Sequence, residues 1–272
     1  VSIDQEGGVV TRLSPAHGFP AVASQATIGR GTVAAARGWA SGLTATLASV
    51  GVNLNFAPVV DLNVNPRSPA IGALGRSFSA DPDVVVAMAT AEIEAHGERQ
   101  IRTAIKHFPG IGSSTTNTDF GVADVTKTWT RRELEPFRRL IAAGTPDAAG
   151  RLDVVMAGHV VNGQLDPEHP ASLSKATVTG LLRGELGWNG IVVTDDLQAV
   201  AIQKAFGVDE AVLLALEAGN DLLLFANQQV YDPNIVDRVV DVVATAVESG
   251  RLPQSRIDEA WDRVDQIGPP LG

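Results

Sequence analysis

The sequence contains no cysteine, one tyrosine and two methionines among its 272 residues. Without cysteine, the chain can form neither a disulfide framework nor a metal site built from thiolates. It also has no apolar run that approaches the roughly 20 residues needed to cross a bilayer as a helix. The sequence therefore predicts no membrane-spanning segment.

Positive charge is also scarce, because 21 Lys and Arg stand against 31 Asp and Glu, which gives a net charge of −10. The basic residues are scattered along the chain, so no patch is expected to neutralise phosphates, and nucleic acid is not an expected partner. Only five histidines are present. Three of them, His17, His96 and His169, fall in predicted loops or on a helix, which argues against a metal-dependent barrel hydrolase.

Apolar residues make up 44% of the chain, and 27 of its residues are glycine. Its length suits a single α/β barrel, a class that runs to roughly 250 residues, so residues 1–272 are predicted to form one domain. Strands are predicted at residues 1–4, 52–57, 103–108, 154–160, 190–195 and 221–225. Helices are predicted at residues 32–50, 82–99, 131–143, 175–186, 209–218 and 235–249. This alternation is typical of parallel βαβ units, and a closed barrel and a doubly wound sheet both satisfy it.

Charged and polar side chains stand at or just beyond the ends of these predicted strands. Barrel enzymes carry their chemistry at the carboxyl ends of strands. A purely structural protein would gain little from this placement, because burying an unpaired charge costs several kcal/mol. The pattern therefore predicts a functional site built from Asp4, Asp61, Lys106, His107, His159, Asp195 and Asp196.

Four segments carry a resemblance to a known family: IDQEGG at residues 3–8, KHFPG at 106–110, MAGHV at 156–160 and VTDDL at 193–197. In order and spacing they resemble glycoside hydrolase family 3, and most closely its bacterial β-N-acetylglucosaminidase-like branch. The resemblance implies a TIM-type (β/α)8-like barrel that acts on carbohydrate and needs no cofactor. The family's barrel begins one strand before Val1, so the fold is expected to lack the first strand at its N-terminus.

Asp195 is the nucleophile that the resemblance implies. An ionised carboxylate can attack an anomeric carbon without an activating base, and the resulting glycosyl ester divides one difficult substitution into two easier ones. The alternative is that Asp195 or Asp196 is the N-cap of a helix that starts near Leu197. We expect Asp196 to be the cap and Asp195 the nucleophile.

The resemblance also implies a set of substrate-binding residues. Lys106 and His107 would hydrogen-bond hydroxyls of the sugar that is cleaved, and Asp4 would accept two hydrogen bonds from a vicinal diol. Ion pairing within loops and a histidine satisfied in the core are the alternatives. Arg76 is also expected to neutralise buried carboxylates. The full substrate-binding set is Asp4, Arg12, Asp61, Arg76, Lys106, His107 and His159, the last as a wall of the site.

The loop after the KHFPG segment departs from the family pattern. The branch has a second histidine there, followed by an Asp-Ser-His triplet whose Asp and His act as general acid and base. Counted from Lys106, the second histidine is Ile111 and the triplet is residues 117–119, Asn-Thr-Asp. We therefore expect Asp119 to be the proton donor and Asn117 to orient it. Asp124 and Glu6 are the further candidates for the donor.

These features predict a retaining exo-β-glycosidase that removes terminal β-linked N-acetylglucosamine from peptidoglycan or chitin-type fragments. A β-glucosidase and a sugar-binding pseudoenzyme without the acid/base dyad are the alternatives. A cell-envelope or extracellular location is expected before a cytoplasmic one. The tryptophans are expected in the core or shell and not as a sugar platform: Trp39, Trp129, Trp188 and Trp261.

Overall fold

A computed structural model of the chain describes residues 1–117, 121, 123–144, 152–228 and 230–265. The chain divides into two compact units. Unit 1 comprises residues 1–115 and 128–156, and unit 2 comprises residues 116–127 and 157–269. Asp119 lies outside the described residues, so its role as the proton donor stays a prediction.

The strands of unit 1 are β1 (Ser2–Ile3), β2 (Gln5–Gly7), β3 (Val10–Thr11), β4 (Leu54–Asn55), β5 (Arg102–Phe108) and β7 (Leu152–Ala157), whose last residue is grouped with unit 2. Four of them lie side by side in the order β1-β4-β5-β7. The β1–β4 and β4–β5 pairs are parallel. The carboxyl ends of neighbouring parallel strands meet at one edge, which brings Asp4 and Lys106 together.

The helices of unit 1 are α1 (Gln25–Ile28), α2 (Val33–Ser49), α3 (Pro82–Gly97) and α4 (Glu135–Ala142). Short 3-10 turns span Pro15–His17, Gly72–Leu74 and Arg131–Leu134. Each long helix starts at a side-chain cap, because Thr32 accepts from the amide of Ala35 and Asp81 from that of Asp83. Leu43 and Leu47 of α2 are buried in one apolar cluster with Val52 and Ile101.

The strands of unit 2 are β6 (Ala123–Asp124), β8 (Val160–Asn162), β9 (Asp166–Pro170) and β10 (Ile191–Thr194). The first three form a small sheet in the order β6-β8-β9. The helices are a π-helix (Ala176–Glu185), α5 (Val200–Ala205), α6 (Gly207–Ala218), α7 (Ile235–Glu248) and α8 (Gln254–Asp265), with a 3-10 turn at Ala171–Leu173. Leu197, Ile202 and Ala215 form the centre of one apolar cluster.

The structure confirms a mixed α/β fold with parallel strand pairs, and it changes some of the predicted elements. The strand predicted at residues 221–225 is reduced to a single parallel bridge between Leu222 and Val193. The helix predicted at residues 175–186 has π-type hydrogen bonding. Trp129 and Trp188 are buried as predicted, whereas the prediction is wrong for Trp261, which is 65% exposed on α8. No helix in the described part of the chain is long and apolar enough to cross a membrane.

Candidate active site

The centre of unit 1 is a buried network of opposite charges built on the edge where β1 and β5 end. Lys106 donates from Nζ to Asp4 Oδ1 at 2.5 Å and lies 2.6 Å from Glu6 Oε1. Arg76 donates two hydrogen bonds to Glu6, from Nε to Oε2 at 2.8 Å and from Nη2 to Oε1 at 2.7 Å. Two cations thus balance two carboxylates, as burial of charge requires.

The charges in this network keep Glu6 and Lys106 ionised at neutral pH. Burial by itself raises the pKa of Glu6, but Arg76 and Lys106 outweigh it and hold that pKa far below its usual range. Burial likewise lowers the pKa of Lys106, and the charges of Asp4 and Glu6 more than reverse this. A carboxylate with such a depressed pKa does not carry a proton to donate. Glu6 is therefore not the general acid, and the prediction that Arg76 neutralises a buried carboxylate is confirmed.

Asp4 is the end of the network that is open to solvent. Its side chain is 27% exposed, against 2% for Lys106 and 1% for Glu6. Arg12 approaches the other Asp4 oxygen at 3.9 Å, and its own side chain is 45% exposed. An incoming hydroxyl can therefore reach the Asp4 carboxylate, while Lys106 fixes that carboxylate from behind. The substrate contacts predicted for Asp4 and Arg12 stay predictions.

The hydrogen bonds of His107 define which ring nitrogen carries the proton. Arg76 Nη2 lies 3.1 Å from Nε2, and because arginine only donates, Nε2 must accept. The proton is therefore on Nδ1, which donates to Asp61 Oδ2 at 2.7 Å. Asp61 is fully buried and also accepts from the amides of His107 and Ile111, at 3.1 and 2.8 Å. The structure thus gives Asp61 a positioning role, and the sugar contact that we predicted for it stays a prediction.

Asp195 directly follows β10 in unit 2, as predicted. Its amide donates to the carbonyl of Ala157 at 2.9 Å, which fixes the backbone at the strand end. One carboxylate oxygen, Oδ1, accepts from the amide of Asp196 at 2.9 Å. The helix that follows is α5, which begins at Val200 with Ala199 as a cap that makes no side-chain bond. The alternative that Asp195 is a helix N-cap is therefore wrong.

Asp196 is not a helix cap either, and it closes a turn. Its Oδ1 accepts from the amides of Gln198 and Ala226, at 3.0 and 3.1 Å. Burial and the charge of Asp195 raise the pKa of Asp196, although these two amides oppose the shift. Our prediction of a helix cap failed because the chain makes an extra turn before α5 begins.

His159 connects the end of β7 to the residue that follows the predicted nucleophile. Its Nε2 lies 2.8 Å from the carbonyl oxygen of Asp196, which can only accept, so Nε2 carries the proton. Its Nδ1 then accepts from the hydroxyl of Ser172 at 2.7 Å. His159 is buried and uses both ring nitrogens within the protein. It therefore supports the backbone around Asp195, in keeping with the wall predicted for this position.

The predicted acid/base loop is described only in part. Asn117 is half-buried and accepts a hydrogen bond from the amide of Gly121 through its carbonyl, at 3.1 Å. Asp124, the second candidate for the proton donor, is exposed, and hydrogen bonds from Thr126 lower its pKa. A lowered pKa makes Asp124 a poor proton donor at neutral pH.

Two buried acids were not predicted from the sequence. Glu92 on α3 is fully buried with no hydrogen-bond partner for either carboxylate oxygen, and burial together with Glu6 raises its pKa well above the usual value. Glu133 is 1% exposed, and burial raises its pKa to about 7. Both lie on predicted helices, where a single glutamate is normally interpreted as a surface residue. Only their tertiary neighbours distinguish them.

Within the described ranges, no group of three or more His, Asp or Glu residues is arranged to hold a metal ion.

Sequence comparison relates these features to known proteins. The fold and the site define a mixed α/β domain with charged strand ends. Residues 1–267 match the family described as glycosyl hydrolase family 3 N terminal domain. Beta-hexosaminidase A of Pseudoalteromonas piscicida is 30% identical over 288 residues, which cover 98% of this chain and 46% of that protein. A beta-hexosaminidase of Tolumonas auensis is 34% identical over 257 residues, which cover 92% of this chain and 72% of that protein.

A solved structure gives the same assignment. The glycoside hydrolase family 3 beta-N-acetylglucosaminidase from a Paenibacillus species aligns with a TM-score of 0.87 and 37% identity, over 98% of this chain and 49% of that one. This chain belongs to glycoside hydrolase family 3, in the region of its N-terminal domain. It spans about half the length of the Pseudoalteromonas and Paenibacillus proteins.

Proposed function

We propose that this chain is the catalytic domain of a retaining exo-β-glycosidase that removes terminal β-linked N-acetylglucosamine, from fragments of the peptidoglycan or chitin type. The observation that carries the proposal is the Asp4 carboxylate, partly open to solvent and fixed by Lys106 at 2.5 Å. A carboxylate has two oxygens that can accept hydrogen bonds, which suits the vicinal diol that a sugar ring presents. The names of the Pseudoalteromonas, Tolumonas and Paenibacillus relatives support the choice of an N-acetylhexosamine.

In this proposal Asp195 is the nucleophile. Its carboxylate attacks the anomeric carbon and forms a glycosyl ester as the bond to the leaving oxygen breaks. A proton donor must supply that oxygen, and the same group then takes a proton from the water that hydrolyses the ester. Glu6 and Asp124 carry depressed pKa values, so Asp119 is the donor we propose, with Asn117 to orient it.

We also propose that the native fold is the TIM-type (β/α)8-like barrel that the family resemblance implies. Support comes from the parallel β1–β4 and β4–β5 pairs and from the alignment with the Paenibacillus structure over 98% of the chain. We also propose a cell-envelope or extracellular location.

One labelling experiment tests both the nucleophile and the sugar. The protein is incubated with a mechanism-based fluorinated glycoside of the N-acetylglucosamine type, and the labelled peptide is mapped by mass spectrometry. We expect a label on Asp195, and faster release from p-nitrophenyl N-acetyl-β-glucosaminide than from p-nitrophenyl β-glucoside. A label on another residue would overturn the assignment, and faster release of glucose would favour a β-glucosidase.

The matched control is Asp196→Asn, because Asp196 is a neighbouring carboxylate engaged with backbone amides. Asp195→Asn should abolish labelling and lower kcat by at least 1,000-fold, on the order of the losses seen when a catalytic nucleophile is removed. Asp196→Asn should retain the label. Sugar binding by the wild-type chain without any turnover would instead identify a pseudoenzyme.

A further inference from the structure

The chain segment that follows β5 is held from several sides. Trp129 Nε1 donates to the carbonyl of Pro109 at 3.1 Å, and Asn65 Nδ2 donates to the carbonyl of Ser114 at 3.1 Å. The amide of Ile111 donates to Asp61 at 2.8 Å. We call residues 109–114 the anchor loop, since the chain runs from it to Asn117 and the predicted acid/base positions three residues later. The anchor loop and the side chains that hold it lie in unit 1.

Glu133 is a further attachment of the anchor loop. The amide of Ser113 donates to Glu133 Oε2 at 3.1 Å. The loop also packs tightly on this residue at Gly110, which has a φ of +105°, because a Cβ built there would lie 2.7 Å from Glu133 Cβ. Only glycine meets both demands at that position. Glu133 thus touches the loop through a hydrogen bond and through direct packing.

The two carboxyl groups under the anchor loop receive unequal numbers of hydrogen bonds. Asp61 accepts three, from two amides and the ring of His107. Glu133 Oε2 accepts from the amide of Ser113, and its Oε1 is buried without a hydrogen-bond partner. The Ser113 side chain lies close enough to lower the pKa of Glu133, but burial outweighs this effect. A buried carboxylate with so few donors is costly, whereas the neutral acid is tolerated. The geometry around Glu133 therefore suits its protonated form, whereas Asp61 is surrounded by hydrogen-bond donors.

The charges around Glu133 act in the same direction. The charge of Asp61 reaches it. His107 lies on the far side of that carboxylate, with Nε2 3.1 Å from Arg76 Nη2. Arg131 and Arg132, on the same turn as Glu133, are exposed to solvent. Burial, with Asp61 adding to it, raises the pKa of Glu133 to about 7.

We propose that Glu133 is a positioning residue of the glycosidase, whose neutral carboxyl holds the anchor loop together with Asp61 and so fixes the start of the segment that leads to Asn117. This inference rests on the proposed function. When Glu133 loses its proton, its negative charge lies beside Asp61 with few hydrogen-bond donors. The anchor loop is then held less firmly. The side chains of Asp4 and Lys106, which we propose bind the sugar, are not changed. We therefore expect an effect on kcat and not on KM.

The test compares Glu133→Gln, Glu133→Ala and the control Glu135→Gln, which changes a charge on the adjacent turn where Glu135 pairs with Arg138. Hydrogen exchange at residues 110–114 is measured from pH 6 to 9 and corrected for intrinsic rates, together with kcat and KM. In the wild type, protection of these amides and kcat should both fall above about pH 7. Glu133→Gln keeps an acceptor for Ser113 and cannot ionise, so its protection should no longer fall above pH 7 and its kcat should fall less with pH than that of the wild type.

Glu133→Ala removes the acceptor and should lower kcat on the order of 10- to 100-fold at pH 6, the size expected when a reacting group is misplaced, with KM within about twofold. Glu135→Gln should behave as the wild type. Protection of the anchor loop that is independent of pH in the wild type, or equal in Glu133→Ala, would overturn the inference. A wild-type chain with no glycosidase activity would refute the proposed function alone, because the exchange comparison needs no substrate.

Discussion

Glu6 is a residue whose chemistry is set by its neighbours. It is buried between Arg76 and Lys106, and these two cations hold its pKa far below the usual range although burial by itself would raise it. The same pairing orients Lys106 toward Asp4. A change at Glu6 therefore alters both the stability of unit 1 and the shape of the sugar-binding edge.

We expect Glu6→Gln to destabilise the protein by about 3–5 kcal/mol at pH 7, because it leaves two buried cations with one counter-charge fewer. Urea denaturation measures this change. Glu94→Gln is the matched control, since Glu94 pairs with Arg37 on the surface and should change stability by less than about 1 kcal/mol. An equal, small effect of both variants would contradict the coupling.

The pH dependence of the same pair of proteins gives a signed test. The pKa of Glu6 is lower in the folded chain than its ordinary value of 4.5, so its contribution to stability is present above pH 4.5 and is lost as the pH falls below it. The stability difference between the wild type and Glu6→Gln should therefore shrink on acidification below about pH 4.5. A difference that is constant down to pH 3 would refute this.

At the scale of elements, α3 carries an internal acid where an amphipathic helix normally places apolar residues. Glu92 faces the inside of unit 1 with no hydrogen-bond partner for its carboxyl group. One turn later, His96 bonds Asn55, which in turn accepts from the amide of Gln5 and donates to its carbonyl. The helix thus contributes His96, which is linked through Asn55 to β2, and Glu92, whose carboxyl group has no hydrogen-bond partner.

We predict that Glu92→Met stabilises the protein by about 1–4 kcal/mol at pH 8, since an apolar residue of similar size replaces a buried ionisable group. The raised pKa of Glu92 means that its cost is absent below pH 4.5 and grows as the pH rises above it. The melting temperature of wild type and variant, compared at pH 4 and pH 8, checks the sign. A variant that is less stable at pH 8 would show that the carboxyl group makes a needed contact. Glu94→Met, at an exposed site of the same helix, is the control.

At the scale of the whole molecule, the described part of unit 2 is tied together by one buried carboxylate. Asp221 accepts from Arg183 at 2.6 Å, Arg256 at 2.8 Å and Arg263 at 2.9 Å, and its side chain has no exposed surface. It also accepts from the amide of Val192 in β10 at 3.0 Å. The π-helix, α8 and β10 therefore meet at a single charge.

We expect Asp221→Asn to destabilise the protein by about 3–5 kcal/mol, because three arginines lose a desolvated counter-charge. The unfolding midpoint in urea measures the loss. Asp209→Asn removes a surface partner of Arg238 and should cost less than about 1 kcal/mol. If Asp221→Asn unfolds at the same urea concentration as Asp209→Asn, the cluster is not a determinant of stability.

Several features of the fold and the site were predictable from the sequence. The long helices α2, α3 and α7 follow from apolar spacing and, for α2 and α3, from cap residues, since local periodicity and capping are read directly along the chain. Asp4, Lys106, His107 and Asp195 were predicted from strand ends and from family motifs. By contrast, the single bridge at Leu222 was missed because it joins residues distant in sequence. The turn before α5 was missed because Asp196 accepts from the distant amide of Ala226 as well as from Gln198 and does not cap a helix.

The sequence by itself determined the family, the alternation of strands and helices, and the residue types that stand at the strand ends. Only the tertiary structure decided the state of each group: Glu6 is ionised, His107 is protonated on Nδ1, and Glu133 carries a carboxyl group with a pKa of about 7. The physical reason is that a residue's type is local, whereas its protonation depends on burial and on charges that the fold brings in from distant parts of the chain.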